Sequence, residues 1–357
     1  MVAVHFRQNI LNMNPYHPPL SGRLSSGQLL LDFNERVRPV HAAVRQAMAD
    51  WVASGSSWCY PEYDGLEAAI ANYVEVKTEN VFFGNGSDQL LDCIFRAVVD
   101  PQDLVLLPSP SFAMYAQCAD LVEAKVEKFS LLAENPLAEL QKALAQHSPR
   151  MVVLCQPNNP TGTLLDVLAL RKIFDQYPKV WFLVDEAYCE FSGETVLEAH
   201  KKPRPNVVVT RTFSKAFGLA ALRFGYMVAS EDMNEQCGKI RGPYDVNRLV
   251  AICAQVSLQH IDDVNAYVSE VMETSKPQLE KALEALGCKI MPSRANFLLI
   301  RNPPFGLVEH LDKMGIRVRA MRQKELAGAC RISIGDWPAT QKIIAALSTF
   351  KPSRETC

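Results

Sequence analysis

The chain has 357 residues, 48% hydrophobic and 21% charged, with a formal net charge of −2. That length allows about two domains of ordinary soluble composition, and the near-neutral charge points away from nucleic acid and from an anionic membrane surface. Ten dispersed cysteines form no C-x-x-C pair and seven histidines form no H-x-x-x-H pair, which suggests buried free thiols of a reducing cytoplasm and no metal site.

The N-terminus, MVAVHFRQNILNMNPYHPP, lacks the continuous apolar core of a signal peptide. No apolar run approaches the ~20 residues that span a bilayer. The first 35 residues have little periodicity and are expected to drape across a domain junction or onto a partner. VFF at 81–83 predicts a strand, GNGS a turn, and DQLLDCIFRAVV a helix. DLVLLP at 103–108 predicts a second strand. Asn135 and Pro136 suit a cap and first helical residue before LAELQKALAQ. MVVLC at 151–155 predicts a strand, followed by the turn NNPTG at 158–162. Val167, Leu170, Ile173, Phe174 and Tyr177 form a helical stripe, and VWFLV at 180–184 and NVVVT at 206–210 are two more strands. Short continuous apolar runs separated by helices indicate a parallel sheet covered on both faces. The fold class expected is therefore α/β, with a large domain over 45–245. Beyond a hinge at GPYDVNR (242–248) the rhythm changes. A long helical pattern covers 262–286, followed by strands NFLLI (296–300), IRVRA (316–320) and RISI (331–334) and a helix at 338–348. This predicts a smaller α+β domain over 246–357, with 1–44 as an N-terminal segment packing on it or on a partner.

In open parallel sheets ligands sit outside the carboxyl ends of the strands. Four polar elements fall there: GNGSD, NNPTG, DEAY and TRTFSK. Lys215 of TRTFSK lies behind an apolar strand, and no charge follows it until Arg223. A loop lysine is ordinarily a surface group, but in a poor solvent for ammonium it becomes a nucleophilic amine. Asp185, at the end of VWFLVD, suits a helix cap. It suits equally a carboxylate that keeps a proton on a heterocyclic nitrogen, as pyridoxal phosphate requires. Tyr188 and Asn159 can hydrogen-bond a phenolic oxygen, although a packed tyrosine and a plain turn read as well. Gly86 and Ser87 open a helix whose free N–H groups suit an anion. Asp88 carries the wrong charge for a direct phosphate ligand and reads as a cap. Thr212 and Ser214 can donate hydroxyls, and Arg223 a planar fork.

Lys215 with Thr212, Ser214 and Arg223, together with DEAY and NNPTG, resembles the aspartate-aminotransferase superfamily, fold type I of the pyridoxal-phosphate enzymes. Within it the chain looks most similar to the histidinol-phosphate aminotransferase family. The matching stretches are YPEYDGLEAAIANY (60–73), GSDQLLD (86–92), PSFAMY (110–115), QPNNPTG (156–162), DEAYCEF (185–191), TRTFSKAFGLAALRFGY (210–226) and RISIG (331–335). The resemblance implies that Lys215 attaches the cofactor covalently and shuttles the substrate's proton. It assigns Asp185 to the pyridinium, and Tyr188 and Asn159 to the ring oxygen. Gly86, Ser87, the Asp88 backbone, Thr212, Ser214 and Arg223 form the phosphate cup, and Phe112 stacks on the ring. On the substrate side it implies Arg331 as anion anchor and Arg319 as a second anion ligand, with Arg322 as its rival. Tyr16 and Asn34 are implied near the substrate. Tyr60 is implied to reach into a neighbouring subunit's site, and so a homodimer. Three departures stand out: NERVRP at 34–39 for an NENP-like motif, Gln89 where the family carries glutamate, and GPYDVNR in place of a PYPLS-like segment, the last two on or near the substrate side in the family.

The expected reaction is transamination of L-histidinol phosphate with 2-oxoglutarate, giving imidazole-acetol phosphate and glutamate. Burial and Arg223 are expected to lower the Lys215 pKa. An aromatic amino-acid aminotransferase and a threonine-phosphate decarboxylase are the alternatives on the same scaffold. A regulatory cofactor-binding module and another nucleotide-binding α/β protein are the readings outside it.

Overall fold

A computed structural model describes residues 5–15 and 17–351. Its strands are β1 (Leu29–Leu30), β2 (Val81–Gly84), β3 (Leu104–Ser109), β4 (Lys125–Ser130), β5 (Met151–Cys155), β6 (Trp181–Asp185), β7 (Val207–Thr212), β8 (Gly225–Val228), β9 (Phe297–Ile300), β10 (Ile316–Arg317), β11 (Arg319–Ala320) and β12 (Cys330–Ser333). Seven of them form one sheet in the order β2-β8-β7-β6-β5-β3-β4. β7, β6, β5, β3 and β4 run parallel, and β8 lies antiparallel to both β7 and β2. The expected α/β class with a mostly parallel sheet is therefore what the chain adopts.

Alternation along the strands supplies both faces of this sheet. Val105 and Leu107 pack with Leu91, Ile94 and Phe95 of the helix Ser87–Val98 on one side. Leu106, between them, packs with Leu140, Leu144, Leu170 and Phe174 on the other. Each such side chain, fully buried, contributes about 1.5–3 kcal/mol. The helix Pro136–Gln146 begins as expected, with the Asn135 side chain accepting from Ala138 N–H and Pro136 in the first turn. Successive parallel strands are added in one direction from β3 to β4 and in the other from β5 to β7, so the order reverses between β3 and β5. Asp185, Thr212 and Cys155 all fall at carboxyl ends of strands along this edge.

Two strands of the sheet, β4 and β8, carry no clear sequence signal. β4 reads KVEKFS and sits at the sheet edge with Lys125, Glu127 and Lys128 exposed. Charges there discourage pairing with another chain and erase the apolar signature. β8 reads GYMV, four fully buried residues, too short a run for periodicity to register.

In the C-terminal part β9, β12 and β11 form an antiparallel sheet, β11-β12-β9. The long helical pattern runs as Ile261–Ser269, a wider π-helical stretch Glu270–Ser275, and Lys276–Ala285. Glu270 accepts from Arg38 Nη1 at 2.6 Å and from Trp337 N–H at 2.7 Å, tying this stretch to the N-terminal segment and the last helix. IRVRA is not one strand. Its first two residues, β10, pair in parallel with β1, while Arg319–Ala320 pairs with β12. The helix Arg248–Gln259, beyond the expected boundary at 245, packs against Ala42–Ala53 and Leu66–Val74. Among the described residues eight free cysteines are buried and Cys59 is exposed. No described helix is long and apolar enough to cross a membrane.

Candidate active site

Two confluent cavities open above the carboxyl edge of the sheet. The inner one, about 130 Å³, is lined by residues that include Asp185, Lys215, Tyr188, Thr212, Ser214 and Arg223. The outer one, about 510 Å³, shares Phe112, Asn159, Tyr188 and Lys215 with it and adds Phe33, Asn34, Arg319, Arg322, Gln323 and Arg331.

β6 delivers Asp185 into the inner cavity, and the side chain is buried. Its Oδ2 accepts from the Tyr115 hydroxyl at 2.7 Å and Oδ1 from Ala187 N–H at 3.2 Å. Burial pushes the Asp185 carboxyl up to about 6, and the nearby Asp88 charge adds to this against the Tyr115 hydrogen bond. A carboxylate held dry at that cost is a ready partner for a cationic ring nitrogen. Tyr115 went unassigned in the sequence although PSFAMY was recognised. Its role appears only when the helix Met114–Leu121 turns it onto Asp185, with its ring edge-on to Phe112 at 5.6 Å between centroids.

Lys215 follows β7 and reaches the floor of both cavities. Its Nζ donates to the Phe33 carbonyl at 2.8 Å and lies 5.8 Å from the Tyr188 ring centroid. Burial lowers its pKa to about 8; Arg331 pushes the same way more strongly than Arg223, while Glu35 and Asp88 oppose them. The expected lowering is therefore present, with Arg331 as the larger of the two cationic contributions.

Gly86, Ser87 and Asp88 open the helix Ser87–Val98 with no side-chain cap, so its first N–H groups stay available. Gly86 has φ +80°, and a Cβ there would meet Arg223 Nη2 at 2.7 Å. The guanidinium therefore lies over the bare backbone of the turn. Asp88 Oδ2 accepts from Arg223 Nη2 at 3.0 Å, which orients the arginine. Thr212 donates to Ser214 Oγ at 2.9 Å, so the two hydroxyls face one another beside the helix N-terminus. The concave set of donors fits a phosphate in charge and in shape.

Tyr188 is buried, and burial raises its pKa above the ordinary phenol value although Arg331 opposes this. Its oxygen accepts from Asn34 Nδ2 at 3.0 Å, which leaves its own proton for another acceptor. Asn159 Oδ1 accepts from Arg331 Nη1, leaving the amide nitrogen as the donor end. Arg331 Nη2 also donates to the Asp32 carbonyl at 2.7 Å. Asn34 (φ 58°) is held by Ser333, whose Oγ accepts from Asn34 N–H at 2.8 Å. The segment 32–34 thus offers consecutive carbonyls to Arg331, Lys215 and Asn296. Sequence reasoning missed Phe33, because a backbone carbonyl carries no residue-type signal.

Arg319 faces Arg331 across the β11–β12 register, with its guanidinium 5.2 Å from the Phe33 ring centroid. Arg322 lines the same outer cavity, so both remain candidate anion ligands. Tyr60 does not reach either cavity in its own chain. It is 74% exposed and stacks on Tyr244 with centroids 4.4 Å apart. Tyr16 lies outside the described residues. No group of three or more His, Cys, Asp or Glu among the described residues is placed to hold a metal ion.

The family description "Aminotransferase class I and II" matches residues 23–347. The chain belongs to the class I and II aminotransferases. A histidinol-phosphate aminotransferase of Ruminiclostridium cellulolyticum is 31% identical over 348 residues, covering 94% of this chain and 95% of the relative. One from Thermoanaerobacter sp. is 33% identical over 324 residues, covering 89% and 91%. Among solved structures, the histidinol-phosphate aminotransferase of Sinorhizobium meliloti in complex with pyridoxal-5'-phosphate superposes with a TM-score of 0.85. It covers 97% of both chains at 24% identity. The aminotransferase fold accounts for the strand ends that carry Asp185 and Lys215, and for the small C-terminal sheet that carries Arg331.

Proposed function

We propose that this aminotransferase uses pyridoxal 5'-phosphate to move the amino group of L-histidinol phosphate onto 2-oxoglutarate, yielding imidazole-acetol phosphate and L-glutamate. When bound, the cofactor supplies an electrophilic aldehyde and a ring that delocalises negative charge from the substrate carbon. Lys215 is the attachment point and the base that moves the proton at the substrate's Cα, and its lowered pKa keeps free amine available near neutral pH. Asp185 holds the proton on the ring nitrogen. Tyr188 and Asn159 donate to the ring oxygen, and Phe112 covers the ring face. Gly86, Ser87, the Asp88 backbone, Thr212, Ser214 and Arg223 grip the phosphate. Arg331 binds the substrate's anionic end, with Arg319 or Arg322 beside it and Asn34 close by.

The observation that carries this reading is the convergence of Asp185, Lys215 and Arg223 on one cavity that Tyr188 also lines. Three arginines on the adjoining cavity favour a doubly charged phosphate ester over a single carboxylate. The test compares purified protein on L-histidinol phosphate and on phenylalanine, each with 2-oxoglutarate. The phosphate ester is expected to be the better substrate. No turnover of it, or carbon dioxide release from threonine phosphate instead, overturns the assignment.

The stacked, exposed rings of Tyr60 and Tyr244, with Trp58 exposed two residues before Tyr60, support a homodimer in which Tyr60 serves the neighbouring site. The division into 1–44, 45–245 and 246–357 belongs to this proposal, with the last part carrying Arg319 and Arg331 toward the cofactor. The buried free thiols support a cytoplasmic location.

A further inference from the structure

The loop that ends β2 and opens the helix Ser87–Val98 is held from both flanks by side chains outside the cavity. On the helix side, Gln89 Oε1 accepts from Asn85 N–H at 2.7 Å, and its amide Nε2 donates to Asp245 Oδ2, also at 2.7 Å. A Cβ at Gly84 would meet Gln89 Oε1 at 2.9 Å, so the bare glycine lets the amide lie against the end of β2. On the strand side, Arg241 donates to the Phe83 carbonyl, and its guanidinium lies 4.4 Å from the Phe82 ring centroid. Asp245 joins the two flanks, since its Oδ2 is also 3.4 Å from Arg241 Nε. The Asp245 and Arg241 side chains are each 14% exposed, and Asp245 Oδ1 is buried with no hydrogen-bond partner. Asp245 therefore has one cation and one neutral donor to offset its charge. Gln89 is the donor, and a second carboxylate there would face the first with only Arg241 to offset both charges.

We propose that Gln89, Asp245 and Arg241 form a clamp that positions the loop 84–88 and so sets the grip on the cofactor's phosphate. The proposal rests on the reading of Gly86–Asp88 as the phosphate cup. Gln89 acts as a positioning residue that spans the loop backbone and Asp245. Its amide is required because one oxygen must accept from Asn85 while the nitrogen donates to Asp245. The arrangement predicts a reciprocal exchange. Gln89→Glu should break the clamp, and adding Asp245→Asn should restore it. The carboxylate at 89 would still accept from Asn85, the new amide at 245 would donate to it, and the pair would keep one negative charge near Arg241.

The experiment follows release of pyridoxal phosphate from diluted holoenzyme by absorbance, in wild type, Q89E, Q89M, D245N and Q89E/D245N. A parallel series uses enzyme loaded with pyridoxal, which lacks the phosphate. Q89E should release pyridoxal phosphate about tenfold faster than wild type, and Q89M about threefold faster. The double variant should return to within about threefold of wild type. Pyridoxal release and the KM for 2-oxoglutarate should stay level across the series, which general loosening of the fold would not permit. Should Q89E fail to fold, the uncharged Q89M decides by the same comparison. Unchanged release from Q89E or Q89M, or a double variant no slower than Q89E, overturns the clamp. Equal release of pyridoxal and pyridoxal phosphate from wild type overturns the phosphate-cup reading, and the clamp with it.

Discussion

The inner and outer halves of the site are built differently. Inner groups sit on ends of buried strands or on a helix N-terminus: Asp185 closes β6, Thr212 closes β7, and Ser87 starts the helix Ser87–Val98. Partners lie within the same large sheet region, Tyr115 for Asp185 and Asp88 for Arg223. Outer groups come from segments far apart in sequence: Phe33 and Asn34, Arg319 and Arg322, and Arg331 on β12. They meet through backbone carbonyls and short strand pairs. The rigid half suits a cofactor whose contacts stay fixed through turnover. The composite half suits a substrate that enters and leaves, because short strands and loops open at low free-energy cost.

The strongest way to break this contrast is at Lys215, one of the residues both halves share. Lys215→Ala should lower kcat by roughly 10⁴-fold, because it removes both nucleophile and proton carrier. It should also abolish the absorbance near ~420 nm of the purified protein. Steady-state turnover near the wild-type rate would end the account.

Asp185→Asn probes the inner half alone. Turnover should fall roughly 10²- to 10³-fold, with the KM for the amino donor changed far less. The cofactor-free protein should gain about 3 kcal/mol of stability at pH 7, since a carboxyl raised to about 6 disfavours the folded state once ionised. Between pH 3.8 and about 6 the folded chain binds more protons at Asp185 than the unfolded chain, so this contribution falls as pH rises. The gain of the variant should therefore vanish below pH 4, as denaturant titrations at several pH values would reveal. Lys215 has the opposite sign. Between about 8 and 10.5 the unfolded chain holds more protons, so its contribution to stability increases with pH.

Arg331→Ala probes the outer half and should raise the KM for the phosphate ester roughly 10²-fold, while Arg331→Lys should recover only part of the loss. Initial-rate kinetics with the ester and with an amine lacking phosphate check this. Only the ester should respond strongly. The smallest effect separates the rivals: whichever of Arg319→Ala and Arg322→Ala raises that KM by about tenfold identifies the second anion ligand.

The same contrast explains what the amino-acid order could convey. β5, β6 and β7 are almost wholly buried and mostly apolar, so the runs and the polar residues at their ends stand out in the sequence. Asn159, Asp185, Tyr188 and Lys215 lie within four positions of those ends and are legible with them. The edge strand KVEKFS was hidden by the charges that protect it. IRVRA looks continuous in the sequence, yet its halves pair with β1 and β12 in different sheets, a division decided by β1, which lies far back toward the N-terminus. The seat of Lys215 on a carbonyl and the meeting of Gln89 with Asp245 depend on packing across the fold. Gln89 and GPYDVNR stood out separately as departures from the family pattern, and their contact is a fact of three dimensions.

The carbonyl that receives the Lys215 amine lies 182 positions before it, and Ser333, which holds the next residue, lies 299 positions after Asn34. A nascent chain emerging from the ribosome therefore has its sheet long before it has a finished floor beneath the amine. On the function proposed above, the seat of the aldehyde would be complete only once β12 has been made. Binding then acts as a late lock, joining the first-made and last-made ends of the polypeptide around one ring.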